Sequence, residues 1–307
     1  MRDATIGFIG LGRMGCGMAR NLLQAGVPLH IHDARREPMD ALAEHGAALA
    51  TDPAELARRA ELLFVCVPSE TESEAVLFGE RGVIQGSTAG LAVVDTTTMN
   101  RGAALQLERR AERAGLHYCD CPISGLPVRA DNGTLTMMFG GNPTAFADAK
   151  PYLDIMGEFV VHCGAVGAGQ LMKAVNNVIY DVNIAAVCEV LPLAVKAGLD
   201  PETVATVVTT ASARSFASEH FLPRILEGRF DGDFSLQGAY KDIVNIEEIA
   251  TLFDASLPVV SAMVATYRAA LDMGLGKLPK SAMIKVYEDR LNQKVRRGDR
   301  PGASVET

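Results

Sequence analysis

The stretch TIGFIGLGRMGCGMARNLLQAG (residues 5–26) decides how the rest of the chain is read. Its opening run, TIGFIG, is short and apolar, which predicts a buried strand over 5–10. Gly10, Gly12 and Gly15 follow in G-x-G-x-x-G order, and GCGMARNLLQAG then spaces its apolar residues as an amphipathic helix. Strand, glycine turn and helix in this order suit the phosphates of a dinucleotide. Gly10 allows the tight turn, Gly12 lets backbone approach a pyrophosphate, and Gly15 lets helix pack on strand. The helix N-terminus offers N–H groups and the positive end of its dipole to the anion, with Arg13 and Met14 in the same loop. Asp33 closes the next strand pattern, LHIHD (29–33), at the spacing expected of an acid on the adenosine ribose. A carboxylate there accepts from the ribose hydroxyls and repels a 2′-phosphate, which favours NAD over NADP. Arg35 and Arg36 follow directly and are placed to hold that phosphate instead, so NADP stays open as the second choice.

Working outward, further strand patterns occupy 62–67, 92–96, 117–122, 134–140 and 159–163, with amphipathic stretches such as RGAALQLERRAERAG between them. Strands alternating with helices predict an α/β fold, a Rossmann-type doubly wound parallel sheet covered on both faces. Strand signals stop near residue 165, and IVNIEEIATLFD and PVVSAMVATYRAALDMG read as helices. Asp200-Pro201 and Leu257-Pro258 are the expected starts of two of them. The reading is therefore a dinucleotide-binding domain over 1–165 and an all-α domain over 166–295. A long interdomain helix, about 169–197, joins them with Pro192 as a candidate kink, and 296–307 is expected to be a flexible tail.

Composition narrows the classes of function. A 307-residue chain suits two domains. A net charge of −8 argues against a nucleic acid or an anionic membrane as the main partner. The six cysteines show no C-x-x-C pair and the six histidines no H-x-H or H-E-x-x-H pattern, so no metal site is expected. The first residues enter a strand without a signal-peptide core, and the long apolar segment after Gly169 carries Lys173, Asn176, Asn177, Asp181 and Glu189. A cytoplasmic protein is expected.

That segment poses the chemical question. Lys173 and Asn177 lie one helical turn apart and so share a face. Burying an unpartnered ammonium costs several kcal/mol or forces it to release its proton. A dehydrogenase needs a group that takes a hydroxyl proton as hydride leaves carbon, and a lysine serves if burial or a nearby cation draws its pKa towards neutrality.

Four stretches together resemble the β-hydroxyacid dehydrogenase family, the group of 3-hydroxyisobutyrate dehydrogenase and tartronate semialdehyde reductase. They are GFIGLGRMGCGMARNL (7–22), DCPISGLPVRADNGTLTMMFGG (120–141), GAVGAGQLMKAVNN (164–177) and YKDIVNIEEIA (240–250), in the family's order. The resemblance implies an NAD(P)-dependent oxidoreductase that interconverts a small β-hydroxy acid and its semialdehyde. It implies Lys173 as catalytic lysine with Asn177 as its partner, and Ser124 and Gly125 as the loop that grips the substrate carboxylate. Lys241 matches a lysine that closes over cofactor and substrate, Thr98 a cofactor contact, and Val67-Pro68 a loop beside the nicotinamide. A homodimer or homotetramer is implied as well.

One departure stands out. The family's second glycine after the serine is Leu126 here, followed by Pro127. Leu126 keeps its N–H for an anion, but its side chain reshapes the pocket, and Arg129 is placed to add a charge contact. The expected substrate therefore differs from 3-hydroxyisobutyrate and carries an apolar substituent. Two other readings share the architecture: an imine reductase, whose relatives generally lack the lysine, and a non-catalytic dinucleotide-binding protein.

Overall fold

A computed structural model describes residues 4–232 and 234–298. The chain forms two compact units, Met1–Lys173 and Ala174–Thr307.

In the first unit, β1 (Ile6–Ile9), α1 (Gly15–Gln24), β2 (Leu29–His32), α2 (Arg36–Ala43), β3 (Ala48–Leu49), α3 (Pro53–Arg59), β4 (Leu62–Val65), α4 (Glu70–Phe78), β5 (Ala92–Asp95), α5 (Arg101–Arg113) and β6 (His117–Asp120) alternate. There follow β7 (Ile123–Ser124), α6 (Pro127–Asp131), β8 (Leu135–Gly140), α7 (Pro143–Met156), β9 (Gly157–Gly164) and the start of α8 (Ala168–Lys196). Among the described residues nine strands form one sheet in the order β3-β2-β1-β4-β5-β6-β8-β7, with β9 paired to β8. Pairing is parallel from β3 through β6, antiparallel where β8 meets β6 and β7, and parallel again between β8 and β9. Strand order reverses between β1 and β4, the switch point at which open α/β sheets bind ligands beyond the strands' carboxyl ends.

The continuous apolar strands follow from burial on both faces. Phe8 and Phe64 face one core with Met18, Leu22 and Phe139. Their neighbours Ile9, Leu63 and Val65 face the other with Leu56, Leu77 and Leu107. All seven strands expected from sequence are present, with ends trimmed by a few residues. The two-residue strands β3 and β7 carry too little pattern to announce themselves.

The second unit contains the rest of α8 followed by α9 (Pro201–Thr210), α10 (Phe216–Leu226), α11 (Leu236–Ile243), α12 (Asn245–Leu252) and α13 (Pro258–Asp272). A 3₁₀ turn (Lys280–Met283) and α14 (Ile284–Leu291) complete it. Its core gathers Ile184, Cys188, Leu191 and Val195 of α8 with Phe221, Ile225, Met263 and Tyr267. By length and composition α8 would reach across a membrane, with a mean hydropathy of 1.8. Its buried stripe in this core accounts for much of that apolarity. The helix runs through Pro192 as one element.

The sequence places a boundary at 165/166. The first turn of α8 is bonded into the first unit, through Gly167 and Gln170, and this carries the unit on to Lys173. The tail departs from expectation at its start. Arg296 pairs with Glu288 at 2.6 Å and the Arg297 N–H donates to the Leu226 carbonyl at 2.7 Å, so the chain is anchored there rather than loose. The rest of the expected tail, 299–307, lies outside the described residues.

Candidate active site

The glycine turn leaves the carboxyl end of β1. Gly10 sits at φ +93°, and a Cβ there would collide with the Cys66 carbonyl at the end of β4. Gly15 passes so close to the Gly10 carbonyl that it too must lack a side chain. A Cβ on Gly12, in contrast, would meet nothing within 4 Å. This open cradle, at the start of a helix whose cap residue Met14 makes no side-chain capping bond, fits the pyrophosphate that the glycine pattern implies.

Asp33, just beyond β2, is tied to that turn. Leu11 N–H donates to Oδ2 at 2.6 Å, and Arg35 N–H donates to Oδ1 at 2.8 Å. Burial raises the pKa of this carboxyl, but the two backbone N–H groups and the Arg35 guanidinium prevail and hold it below its ordinary value. It is thus a fixed anion at the place where ribose hydroxyls are expected. The Arg35 guanidinium bonds Asp33 Oδ1 at 3.2 Å and the Leu11 carbonyl at 3.2 Å, while Arg36 pairs with Asp40 at 2.7 Å.

Two more loops at the same sheet edge carry expected cofactor contacts. Val67-Pro68 follows β4 and Thr98 follows β5. They are joined through Thr97, whose Oγ1 accepts from Val67 N–H at 3.1 Å and from Ser73 Oγ at 3.3 Å. Asp95 in turn accepts from Thr97 N–H at 3.0 Å. Thr98 itself is half-buried. Gly10, Gly12, Arg13, Met14, Gly15, Asp33, Val67, Pro68 and Thr98 therefore all lie on loops at the carboxyl ends of β1, β2, β4 and β5.

Ser124 ends β7, held antiparallel to Thr136 of β8. Gly125 follows at φ +145°, a backbone conformation that side chains oppose, and Leu126 caps α6 with Pro127 as first helical residue. Arg129 does not add the expected free charge. It reaches Glu158 at 3.3 Å, and its stem packs under Gly125, where a Cβ would approach Arg129 Cβ to 3.0 Å.

The start of α8 is fixed by two residues that the sequence reading passed over. Asp120, at the end of β6, accepts from Gly167 N–H at 2.6 Å and from Gln170 N–H at 2.7 Å. Burial pushes its pKa up to about 6, against the pull of those two N–H groups. The Gln170 side chain donates to the Thr97 carbonyl at 2.7 Å and accepts from Met99 N–H at 3.0 Å. Gly169 lies against Pro122, two residues before Ser124. So the first turn of α8 is bolted to the β5 and β6 loops, and Lys173, half-buried, stands one turn further on. A polar residue three positions before Lys173 in an apolar helix was the available signal for Gln170.

Asn177 is buried and accepts from Asn176 Nδ2 at 3.3 Å. It shares the Lys173 face of α8. In the second unit, Lys241 is exposed on α11, next to the buried Asp242.

A Rossmann sheet with this glycine turn, a fixed acid after β2 and a lysine helix anchored to the same loops defines the class: an NAD(P)-dependent dehydrogenase. Comparison with known proteins narrows it. Residues 5–166 match the family model described as the NAD binding domain of 6-phosphogluconate dehydrogenase. Residues 167–287 match the one described as NAD-binding of NADP-dependent 3-hydroxyisobutyrate dehydrogenase. The chain is 34% identical to 2-(hydroxymethyl)glutarate dehydrogenase of Eubacterium barkeri, covering 94% of this chain and 96% of that one. It is likewise 34% identical to L-threonate dehydrogenase of Cupriavidus necator, over 92% and 96% of the two chains. The crystal structure of 3-hydroxyisobutyrate dehydrogenase from Salmonella typhimurium superposes with a TM-score of 0.82 at 29% identity, covering 92% of this chain and 99% of that one. The chain belongs to the β-hydroxyacid dehydrogenase family, and is an NAD(P)-dependent enzyme acting on hydroxy acids.

Proposed function

We propose that the chain oxidises a small β-hydroxy acid to its semialdehyde, and reverses that reaction, with Lys173 as general acid/base. The nicotinamide, when bound, accepts or returns the hydride. The chain supplies everything else. Lys173 Nζ takes the hydroxyl proton during oxidation and gives it back during reduction, while Asn177 orients the amine and the reacting oxygen. Ser124 and the Gly125 and Leu126 N–H groups hold the carboxylate. Lys241 supplies the second cation that the family resemblance assigns to cofactor and substrate.

The observation that carries this reading is the anchoring of α8. Asp120 and Gln170 tie its first turn to the loop that bears Thr98, one turn before Lys173. A lysine kept only for solubility needs no such support.

Among the two cofactors the proposal is NAD. Asp33 is a fixed anion, and both arginines able to receive a 2′-phosphate are engaged with carboxylates. The family model over the second half is described for an NADP-dependent enzyme, but the discriminating residues lie in the first half. For the substrate, Leu126 supports an acid bulkier than 3-hydroxyisobutyrate. Ile179, Val190 and Leu193, exposed on α8, support self-association as a homodimer or homotetramer.

Lys173→Ala tests the central assignment. Its kcat should fall about a hundredfold to ten-thousandfold, the usual weight of a positioned acid/base, while calorimetric titration shows unchanged NAD affinity. Near-normal turnover would assign the proton transfer elsewhere.

A further inference from the structure

Asp181 lies on α8 one turn beyond Asn177 and is fully buried, as is Lys280 of the 3₁₀ turn at 5% exposure. Lys280 Nζ donates to Asp181 Oδ1 at 2.5 Å. The Tyr267 hydroxyl of α13 donates to the same oxygen at 2.8 Å. Burial first, and the Asp181 charge second, hold the Tyr267 phenol well above its ordinary pKa, so it stays a donor. The Lys280 ammonium also lies 4.2 Å from the centre of the Tyr180 ring. One cation therefore grips two successive residues of α8, and α13 adds a third attachment at the same point.

None of this is needed for stability alone. Taking two charges out of water is expensive, and well-packed apolar side chains often do as well or better. What a buried ion pair supplies best is registry, one rotational setting chosen among several of similar packing energy. Helix α8 has that problem. It buries Ile184, Cys188 and Leu191 yet exposes Ile179, Val190 and Leu193, so apolar contact by itself defines its rotation poorly. Lys173, Asn177 and Asp181 recur every four residues and lie along one side of the helix.

We propose that Lys280 is a positioning residue for the lysine helix: by holding Asp181 and Tyr180 it sets the rotation of α8, and with it the directions in which Asn177 and Lys173 project. This rests on the reading of Lys173 as acid/base. Lys280 touches no reacting atom in this scheme and acts only through α8.

The test replaces the whole polar cluster with apolar side chains, K280M/D181L/Y267F, so that no buried charge is orphaned. The expected result is a variant with wild-type circular dichroism and a melting temperature near that of wild type. Its KM for NAD should be unchanged, its kcat for the hydroxy acid lowered about tenfold or more, and its kcat–pH profile displaced. Loss of folded protein alone would lower the apparent kcat without moving the profile. A folded triple variant with wild-type kcat and profile overturns the proposal. Should the triple variant fail to fold, K280R decides, because it keeps the charge and changes the grip. Wild-type kinetics in K280R overturn the proposal, and a displaced profile supports it. Wild type and K173A are assayed alongside. Full turnover by K173A, or none by wild type on any hydroxy acid, sinks the acid/base reading itself rather than the role of Lys280.

Discussion

Asp120→Asn probes how the lysine helix is started. Both oxygens of Asp120 are committed to backbone N–H groups at the head of α8. Burial nevertheless lifts its pKa from 3.8 to about 6, with the nearby Asp95 adding to the rise. The folded chain thus holds this proton more tightly than the unfolded chain. Between those two values the unfolded carboxyl has ionised and the folded one has not, so the contribution to stability is present at low pH and lost as pH rises through the window. The gap between 3.8 and about 6 corresponds to about 3 kcal/mol. Asparagine does not titrate. It also turns an amino group towards one of the two N–H donors and leaves that donor unmet, which costs about 1–3 kcal/mol at every pH. The absolute stability of the variant is therefore a poor readout, and the pH dependence is the informative one. Urea unfolding should be followed by circular dichroism, since the chain has no tryptophan. The advantage of wild type over D120N should shrink by about 3 kcal/mol between pH ~4 and pH ~6.5. A difference that stays flat across that range, or grows, would refute the account of Asp120 as a buried cap ionised at a cost.

Two further outcomes follow from the cofactor and substrate loops. Asp33→Ala removes a like charge from beside the 2′-phosphate position and releases Arg35. Two such charges about 4 Å apart near a surface repel by about 4 kcal/mol before screening, so the ratio of kcat/KM with NADP to that with NAD should rise at least about tenfold. Steady-state kinetics with both cofactors measure it, and an unchanged ratio would show that Asp33 does not set the preference. Leu126→Gly restores the family's second glycine. It should shift relative kcat/KM towards 3-hydroxyisobutyrate over bulkier 3-hydroxy acids by about tenfold, the scale on which a few methylenes discriminate. An already strong wild-type preference for 3-hydroxyisobutyrate would end the idea that Leu126 enlarges the accepted substituent.

Much of the fold could be read from the residues because its signals are local. Glycines 10, 12 and 15 need only a strand before them and a helix after, and both carry period patterns within about ten residues. Lys173 and Asn177 were visible for the same reason, as polar residues that break an apolar helix. Asp120 and Gln170 were not, because their meaning lies in partners far along the chain: Asp120 bonds residues 167 and 170, and Gln170 bonds residues 97 and 99. The pair Asp181–Lys280 is more remote still, separated by 99 positions. Arg129 misled for the opposite reason, since a charge near a substrate loop looks available until Glu158 on β9 is seen to take it.

The same contacts explain why an acidic chain places carboxylates around a site meant for anionic ligands. Asp33, Asp95 and Asp120 each end or follow a parallel strand, and each accepts a backbone N–H from a loop that the sheet no longer holds. Where ladder bonds stop, these loops would otherwise have to satisfy their own donors with water. A buried carboxylate with two acceptor oxygens replaces that water and fixes the loop, at an electrostatic cost visible in the raised pKa of Asp95 and Asp120, which burial chiefly causes. Asp33 alone is drawn the other way, since its two N–H donors and Arg35 outweigh its burial. Two of the three acids are thus poised towards neutrality and spend their oxygens on architecture. The third remains a charge and is the one set where a ribose would be read. The sign of the chain's net charge says little about its ligand; which carboxylates still carry charge at the edge of the sheet says more.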